Sequence, residues 1–192
     1  MQPIRTGIYG GSFNPIHNGH LAIAREIRRR AALDEVWLMV SPQNPLKQVS
    51  DLLPDEQRLD MTRRAVEGEE GLVACDFEFH LPRPSYTWHT LTALSRDFPN
   101  REFVLLIGAD NWAVFDRWYR GEDIVRRYEV VIYPRCGSPV DAGALPPNVR
   151  LVETPLHDVS STQVRQLIRE GRDISQLVPE SIRAMAEQFY LQ

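Results

Sequence analysis

Residues 4–20, IRTGIYGGSFNPIHNGH, join a short apolar segment to the start of a helix through a glycine-containing turn. Residues 4–9 are predicted to form a buried strand, and Gly10 and Gly11 follow it at once. Residues 18–32 are predicted to form a helix, because apolar residues recur on one stripe and arginines fall outside it. The stretch therefore predicts a strand–turn–helix unit in which the turn is open to a ligand.

The remainder of the chain repeats this alternation of short apolar strands and amphipathic helices. Further strands are predicted at residues 36–40, 72–77, 103–107, 130–133 and 149–152. Further helices are predicted at residues 55–67, 86–96 and 112–126, and two more helices close the chain. Such alternation predicts βαβ crossovers and a mostly parallel sheet. We expect a Rossmann-like, doubly wound α/β fold in one domain over residues 1–192, with helices on both faces and a small C-terminal helical extension.

Composition limits the classes of partner and the compartment. The chain has 192 residues, of which 43% are hydrophobic, and its 22 basic and 26 acidic residues give a net charge of −4. This balance argues against broad nucleic-acid binding, which needs an excess of Lys and Arg. Cys75 and Cys136 are too few for a disulfide framework and lack metal-ligand spacing, which favours a reducing compartment. With no signal peptide or membrane span in the sequence, we expect a cytoplasmic protein that binds no membrane.

The turn after the first strand has the features of an anion site. Glycines let the backbone approach a phosphate closely, and a helix start offers unpaired N–H groups. His17 and His20 are three residues apart, so on a first helical turn they share a face, and Gly19 leaves room for a ligand. One alternative is a glycine turn followed by two surface histidines. Another is a zinc site, which would need a third and fourth ligand that the sequence does not obviously supply.

A second polar motif, residues 159–165 with the sequence VSSTQVR, follows the last predicted strand. Ser160 or Ser161 would cap a helix and leave hydroxyl and N–H groups at its start. Arg165 lies one turn into that helix, where its guanidinium could bind a phosphate through two hydrogen bonds. The alternative is an ordinary surface helix with a serine cap.

These two motifs resemble the His-x-Gly-His and Ser-Ser-Thr-x-x-Arg signatures of the nucleotidylyltransferase superfamily. The resemblance extends to the nicotinate-nucleotide adenylyltransferase family, through SYT at residues 85–87 and GAD at residues 108–110 with aromatic residues after it. The matches keep the family's order over nearly the whole chain. The departures are local: Ser12 and Asn14 stand where many relatives have Thr and Asp, and Leu46 stands where relatives often have His, before Lys47.

The resemblance implies transfer of AMP from ATP to nicotinic acid mononucleotide, which gives deamido-NAD and pyrophosphate in NAD biosynthesis. Magnesium would arrive with ATP, and no tightly bound metal is expected. One alternative is another transferase of the superfamily, with nicotinamide mononucleotide or phosphopantetheine as acceptor or with cytidylyl as the group transferred. The other is a non-catalytic nucleotide-binding module. The sequence does not indicate the oligomeric state.

The resemblance also assigns the phosphate-binding residues. His17 and His20 would contact the ATP phosphates, with His20 nearest the α-phosphate, and Lys47 and Arg165 would bind phosphate oxygens. The residues expected to bind ATP are Gly10, Gly11, Ser12, Phe13, Asn14, Gly19, Gly108, Asp110, Ser161 and Thr162.

The acceptor is expected at a separate group of residues. Thr87 lies near a predicted helix start, where backbone N–H groups could bind a pyridine carboxylate. Trp118 and Tyr119 could stack on the pyridine ring, or they could pack in the core from the helix at residues 112–126. Asp110 could cap that helix, or contact a ribose or a metal-bound water.

Overall fold

The computed structural model describes residues 2–42, 52–156 and 159–191. Its centre is a sheet of six strands in the order β3-β2-β1-β4-β5-β6, and every neighbouring pair is parallel. The strands are β1 (Ile4–Gly11), β2 (Glu35–Val40), β3 (Leu72–Cys75), β4 (Arg101–Gly108), β5 (Glu129–Tyr133) and β6 (Val149–Leu151). The predicted doubly wound parallel sheet is confirmed, and the strand order reverses between β1 and β4.

Within the described ranges, seven α-helices connect and extend the strands. They are α1 (Asn18–Arg30), α2 (Asp55–Val66), α3 (Thr87–Asp97), α4 (Ala109–Trp112), α5 (Gly121–Arg127), α6 (Ser161–Arg169) and α7 (Glu180–Tyr190). Short 3-10 helices occupy Phe77–His80, Phe115–Arg117 and Ala142–Ala144. No helix in the described part of the chain is long and apolar enough to cross a membrane.

Alternation along the strands divides the core into two layers. Tyr9 and Leu106 pack on one side of the sheet with residues of α1, α2, α6 and α7. Ile8 and Leu105 pack on the other side with residues of α3, α4 and α5. Successive strand residues point to opposite faces, so central strands buried on both sides must be apolar throughout. Helices therefore cover both faces of the sheet, as predicted.

The predicted helix over residues 112–126 is wrong, because the segment is broken into three pieces. Arg120 has a φ of 55°, a left-handed conformation that interrupts any continuous right-handed helix. Phe115 lies with its ring centroid 5.0 Å from both Trp112 and Trp118. These tilted aromatic pairs pack around a 3-10 turn at Phe115–Arg117, and α5 begins after it at Gly121.

The strand predicted at residues 72–77 is shorter than expected. The structure ends β3 at Cys75 and begins a 3-10 helix at Phe77. β3 pairs with β2 alone, and the last pair in the ladder is Met39 with Cys75. β2 itself ends one residue later, at Val40, so a longer β3 would have had little strand to pair with.

Candidate active site

The glycine turn lies at the carboxyl end of β1, next to the point where the strand order reverses. Ligands of open α/β sheets bind in the crevice at such a position. A Cβ added to Gly10 would meet nothing within 4 Å, whereas one added to Gly11 would lie 3.0 Å from the Phe13 ring. Phe13 itself is buried, with a φ of 44°. The turn therefore folds Phe13 into the core and leaves open space beside Gly10.

His17 and His20 form one stacked pair at the start of α1. Their ring centroids are 3.6 Å apart, and the planes are inclined by 23°. His17 is the N-cap residue of α1, and each ring accepts a backbone N–H through Nδ1, at 3.2 Å for His20 and 3.4 Å for His17. His17 is buried. The alternative of two ordinary surface histidines does not describe this arrangement.

The capping contacts decide which nitrogen of each ring carries hydrogen. A ring nitrogen that accepts an N–H cannot be protonated, so in the neutral ring the hydrogen sits on Nε2. Nε2 is then a hydrogen-bond donor in both residues. The pair therefore has the polarity that a phosphate oxygen requires.

The structure brings the second motif onto the first. Ser160 caps α6 by accepting the Gln163 N–H at 3.1 Å, which confirms the predicted serine cap. Ser161 Oγ donates to the Pro15 carbonyl at 2.9 Å, and Arg165 Nη1 donates to the Asn14 carbonyl at 2.8 Å. The start of α6 is therefore joined to the turn after β1 by two hydrogen bonds.

The Arg165 guanidinium already makes hydrogen bonds within the protein. Its Nη1 holds the Asn14 carbonyl, and its Nη2 lies 3.5 Å from Thr162 Oγ1. Its Nε is buried and makes no hydrogen bond with the described residues. If Arg165 bound a phosphate through two hydrogen bonds, as the sequence predicts, Nη1 would have to bind both the phosphate and the Asn14 carbonyl.

Arg58 is a residue of this region that the sequence analysis missed. Its side chain is 0% exposed, and it donates to the carbonyls of Ser12 at 2.6 Å and Ser41 at 2.9 Å. It also donates to the Leu53 carbonyl and pairs with Asp55. One buried guanidinium thus joins the ends of β1 and β2 to the start of α2. Its position on the buried stripe of α2 was the only sequence signal.

A second missed cation, Arg135, lies two residues after the end of β5. Its Nε lies 3.8 Å from Asp110 Oδ1, and its guanidinium lies 5.4 Å from the centre of the Tyr133 ring. Tyr133 and Tyr9 meet through their hydroxyls at 3.5 Å, and burial raises the pKa of both, so both stay neutral. The rule that site residues follow strands would have selected Arg135.

Asp110 and Gly108 lie at the end of β4, beside the glycine turn that follows β1. Asp110 lies within α4, whose N-cap is Gly108, and the helix over residues 112–126 that it was considered to cap does not form, so the capping role is wrong. A Cβ on Gly108 would lie 2.3 Å from Asp110 Oδ1. A side chain at position 108 would therefore displace the Asp110 carboxylate, which lies close to the end of the strand.

Two of the three residues expected to bind the acceptor, Thr87 and Tyr119, lie at the start of α3. Thr87 is the first residue of that helix. Tyr119 is 48% exposed, and its ring centroid lies 5.1 Å from Tyr86 and 5.2 Å from His89, both beside Thr87 in sequence. Trp118, in contrast, is half-buried against Phe115, as the core-packing alternative expected.

Two further expectations concern Lys47 and metals. Lys47 lies outside the described residues. Within the described ranges, no group of three or more His, Cys, Asp or Glu side chains could hold a metal ion.

Comparison with known proteins identifies the family. Residues 8–167 match the cytidylyltransferase-like family. A Bacteroides fragilis protein named "Probable nicotinate-nucleotide adenylyltransferase" is 52% identical over 174 residues, which are 91% of this chain and 87% of that protein. A Flavobacterium johnsoniae protein of the same name is 39% identical, over 93% of this chain and 94% of that protein.

A solved structure shares the fold. It is that of Plasmodium falciparum nicotinic acid mononucleotide adenylyltransferase complexed with NaAD, which superposes with a TM-score of 0.79 and 21% identity over 97% of this chain and 94% of that chain. The resemblance inferred from the two motifs is confirmed by the sequence relatives. The chain therefore belongs to the nicotinate-nucleotide adenylyltransferase family, within the cytidylyltransferase-like nucleotidyltransferases.

Proposed function

We propose that this protein transfers the adenylyl group of ATP to nicotinic acid mononucleotide, giving deamido-NAD and pyrophosphate in NAD biosynthesis. The observation that carries the proposal is the joining of the two motifs. The stacked His17 and His20 rings lie on the same turn whose carbonyls bind the start of α6. Relatives that share up to 52% of their residues with this chain carry the corresponding enzyme name.

The turn favours an anion because its carbonyl oxygens are held by other parts of the protein. The carbonyls of Ser12, Asn14 and Pro15 accept hydrogen bonds from Arg58, Arg165 and Ser161 respectively. A carbonyl oxygen that faced a phosphate would repel it, whereas these three are already bonded to donors. Because these hydrogen bonds hold the turn in place, its backbone need not reorganise when negative charge develops on a bound phosphate.

The reaction requires positioning more than activation. The acceptor phosphate has a second pKa of about 6, so it is largely ionised at neutral pH and needs no general base. One of its oxygens attacks the α-phosphorus of ATP, the bond from that phosphorus to the bridging oxygen breaks, and its electrons leave on pyrophosphate. The enzyme must hold two anions in line and offset the charge on the transferring group.

We assign His20 Nε2 to the α-phosphate, and we assign His17, Lys47 and Arg165 to the other phosphate oxygens. Thr162 and the first N–H groups of α6 add further donors, since a helix start carries partial positive charge. Magnesium enters as part of the ATP substrate. The exposed Asp110 carboxylate is the group we assign to a ribose hydroxyl or a metal-bound water.

We assign the acceptor to the start of α3. Backbone N–H groups near Thr87 would bind the pyridine carboxylate, and Tyr119 would stack on the ring. Trp118, the residue before Tyr119, has a buried indole N–H with no hydrogen-bond partner among the described residues, and we assign this donor to the acceptor as well. These donors suit a carboxylate better than a carboxamide, whose own NH₂ would face one of them.

We further propose that residues 1–192 act as one nucleotidylyltransferase domain in the cytoplasm, with small molecules as its only substrates. The two core layers share a single sheet, which supports the single domain. Cys75 and Cys136 are both free thiols, which fits a reducing compartment.

The test is pyrophosphate release from ATP with nicotinic acid mononucleotide and with nicotinamide mononucleotide, each with and without magnesium. We expect the acid to be preferred at least about 10-fold in kcat/KM, since an unsatisfied buried donor costs roughly 1–3 kcal/mol. Equal values would remove the acceptor assignment and leave adenylyl transfer standing.

The same assay tests the alternative functions. Release with phosphopantetheine or with CTP instead would select another transferase, and no release with any acceptor would favour a binding module. One tightly held zinc per chain, needed for activity, would overturn the magnesium assignment.

A further inference from the structure

The last helix of the chain ends beside the turn that follows β1. Tyr190, the final residue of α7, is 4% exposed, and its hydroxyl donates to Asn14 Oδ1 at 2.6 Å. Burial raises the pKa of Tyr190, so the hydroxyl keeps its hydrogen and can donate. This contact joins residues that are 176 positions apart in sequence.

Asn14 connects Tyr190 to Arg165, which we assign to phosphate binding. Its Oδ1 also accepts the Leu53 N–H at 3.3 Å, and its backbone carbonyl accepts Arg165 Nη1 at 2.8 Å. The charges of Arg165 and Arg58 oppose part of the rise that burial causes in the pKa of Tyr190, so both guanidinium groups lie near that hydroxyl. A single buried amide therefore links α7 to the arginine that we assign to the triphosphate.

We propose that Tyr190 is a positioning residue for adenylyl transfer. Its hydroxyl fixes the Asn14 side chain, and through the Asn14 backbone it fixes the carbonyl that holds Arg165 against the phosphate site. The inference rests on the proposed function for its kinetic readout. It assigns to the last helix a part in the reaction beyond packing, although Tyr190 touches neither substrate.

The first test is Tyr190→Phe, which keeps the ring and removes the hydroxyl. We expect kcat to fall by about 10-fold, because small misplacement of a catalytic group carries a large rate penalty. The Kd for ATP, measured by titration calorimetry, should rise by about 3-fold as preorganisation is lost. The KM for the mononucleotide should stay unchanged, because the acceptor residues lie on α3.

Tyr128→Phe is the matched control. Tyr128 is 6% exposed, and its hydroxyl lies 3.1 Å from Ser95 Oγ, so the variant also deletes one buried tyrosine hydrogen bond. Tyr128 packs in the other core layer, away from the turn. A merely structural role for Tyr190 predicts equal losses of melting temperature and an unchanged kcat in both variants, and that outcome would overturn the proposal.

A double-mutant cycle asks whether Tyr190 acts through Asn14. In an Asn14→Leu background, removal of the Tyr190 hydroxyl should cost less than about 2-fold in kcat, since the acceptor is already gone. A full additional 10-fold loss would show a different route and contradict the proposal. If Tyr190→Phe is recovered unfolded, Asn14→Leu answers instead: loss of the amide should lower kcat by about 10-fold, and an unchanged kcat would contradict the proposal.

The proposed function and this inference fail separately. Wild-type protein that releases no pyrophosphate with any mononucleotide refutes the function. The ATP affinities of wild type, Tyr190→Phe and Tyr128→Phe still test the link in that case, because they need no turnover. Equal affinities in all three proteins would then refute the positioning role.

Discussion

The two ends of the candidate site are built in different ways. The phosphate end, residues 10–20 with the start of α6, contains buried residues and is held by hydrogen bonds between residues far apart in the chain. The acceptor end, the start of α3 with Tyr119, consists of aromatic side chains at the surface. Tyr119 is 48% exposed, whereas Phe13, Asn14 and His17 are buried.

The difference follows from what each end must do. Charge develops on the phosphates during the reaction, and donors there are effective only if they are already in place. The acceptor ring is bound before the reaction and keeps its charge, so contact with a few surface groups is sufficient. We therefore expect substitutions at the phosphate end to change stability and kcat, and substitutions at the acceptor end to change KM.

The largest effect should come from Arg58→Met, which removes the buried cation beneath the phosphate end. Loss of one partner of a buried charged network costs about 3–5 kcal/mol, because several carbonyls and Asp55 lose their donor. Thermal unfolding measures the change. Arg64→Met, on the same helix but in an exposed pair with Asp60, should cost less than about 1 kcal/mol. Equal costs in the two variants would show that Arg58 is not the anchor of the turn.

The next largest effect should be on the reaction itself. His20→Ala should lower kcat by about 100-fold or more, worth about 2.7 kcal/mol, with a smaller change in the KM for ATP. Because His20 Nδ1 also caps α1, His20→Asn serves as a second variant that supplies an acceptor near the same place but has no Nε2. His20→Asn should lose kcat while its melting temperature stays near that of wild type. His80→Ala, an exposed histidine outside the site, should behave as wild type, and near-normal turnover in His20→Asn would remove His20 from the chemistry.

Substitutions at the acceptor end should have smaller effects, and these should be on KM rather than on kcat. Tyr119→Ala should raise the KM for the mononucleotide by about 3- to 10-fold, since an aromatic stack contributes about 0.5–1.5 kcal/mol. The kcat and the KM for ATP should hardly change, and Tyr119→Phe should resemble wild type. Steady-state kinetics with each substrate varied in turn separate these constants. A fall in kcat without a change in KM would erase the contrast between the two ends.

The smallest effect concerns Glu78, whose buried carboxyl accepts the Thr90 hydroxyl of α3 at 2.8 Å. Burial raises the pKa of Glu78 above its ordinary value of 4.5, and the Thr90 hydrogen bond opposes part of that rise. A raised acid pKa adds stability that is complete below the unfolded pKa and is lost as pH rises through the folded pKa.

The melting temperature of wild type relative to Glu78→Gln should therefore fall between pH 4 and pH 8, by about 2–4 °C for each kcal/mol. Glu187→Gln, which removes an exposed carboxyl, should show no such trend. A wild-type advantage that grew with pH would mean that the folded protein prefers the ionised Glu78.

Periodicity and turn residues were enough to predict the sheet. Long apolar runs such as the one in β4 are readable because a strand buried on both faces must be apolar throughout. The predicted helix at residues 112–126 failed because the stacking of Phe115 with Trp112 and Trp118 overrode local propensity. Such packing depends on what lies across the chain, which a window of sequence does not contain.

The sequence by itself predicted an anion site, because the spacing of His17 and His20 after a strand and the SSTxxR run are local patterns, and the resemblance of these patterns to the superfamily signatures implied the reaction class. Only the tertiary structure decided how those patterns are held. The contacts of Arg58 with Ser12, of Arg165 with Asn14 and of Tyr190 with Asn14 span 46, 151 and 176 residues. A hydrogen bond needs its two atoms about 3 Å apart, and distance in space between residues so far separated is set by the packing of whole helices on the sheet.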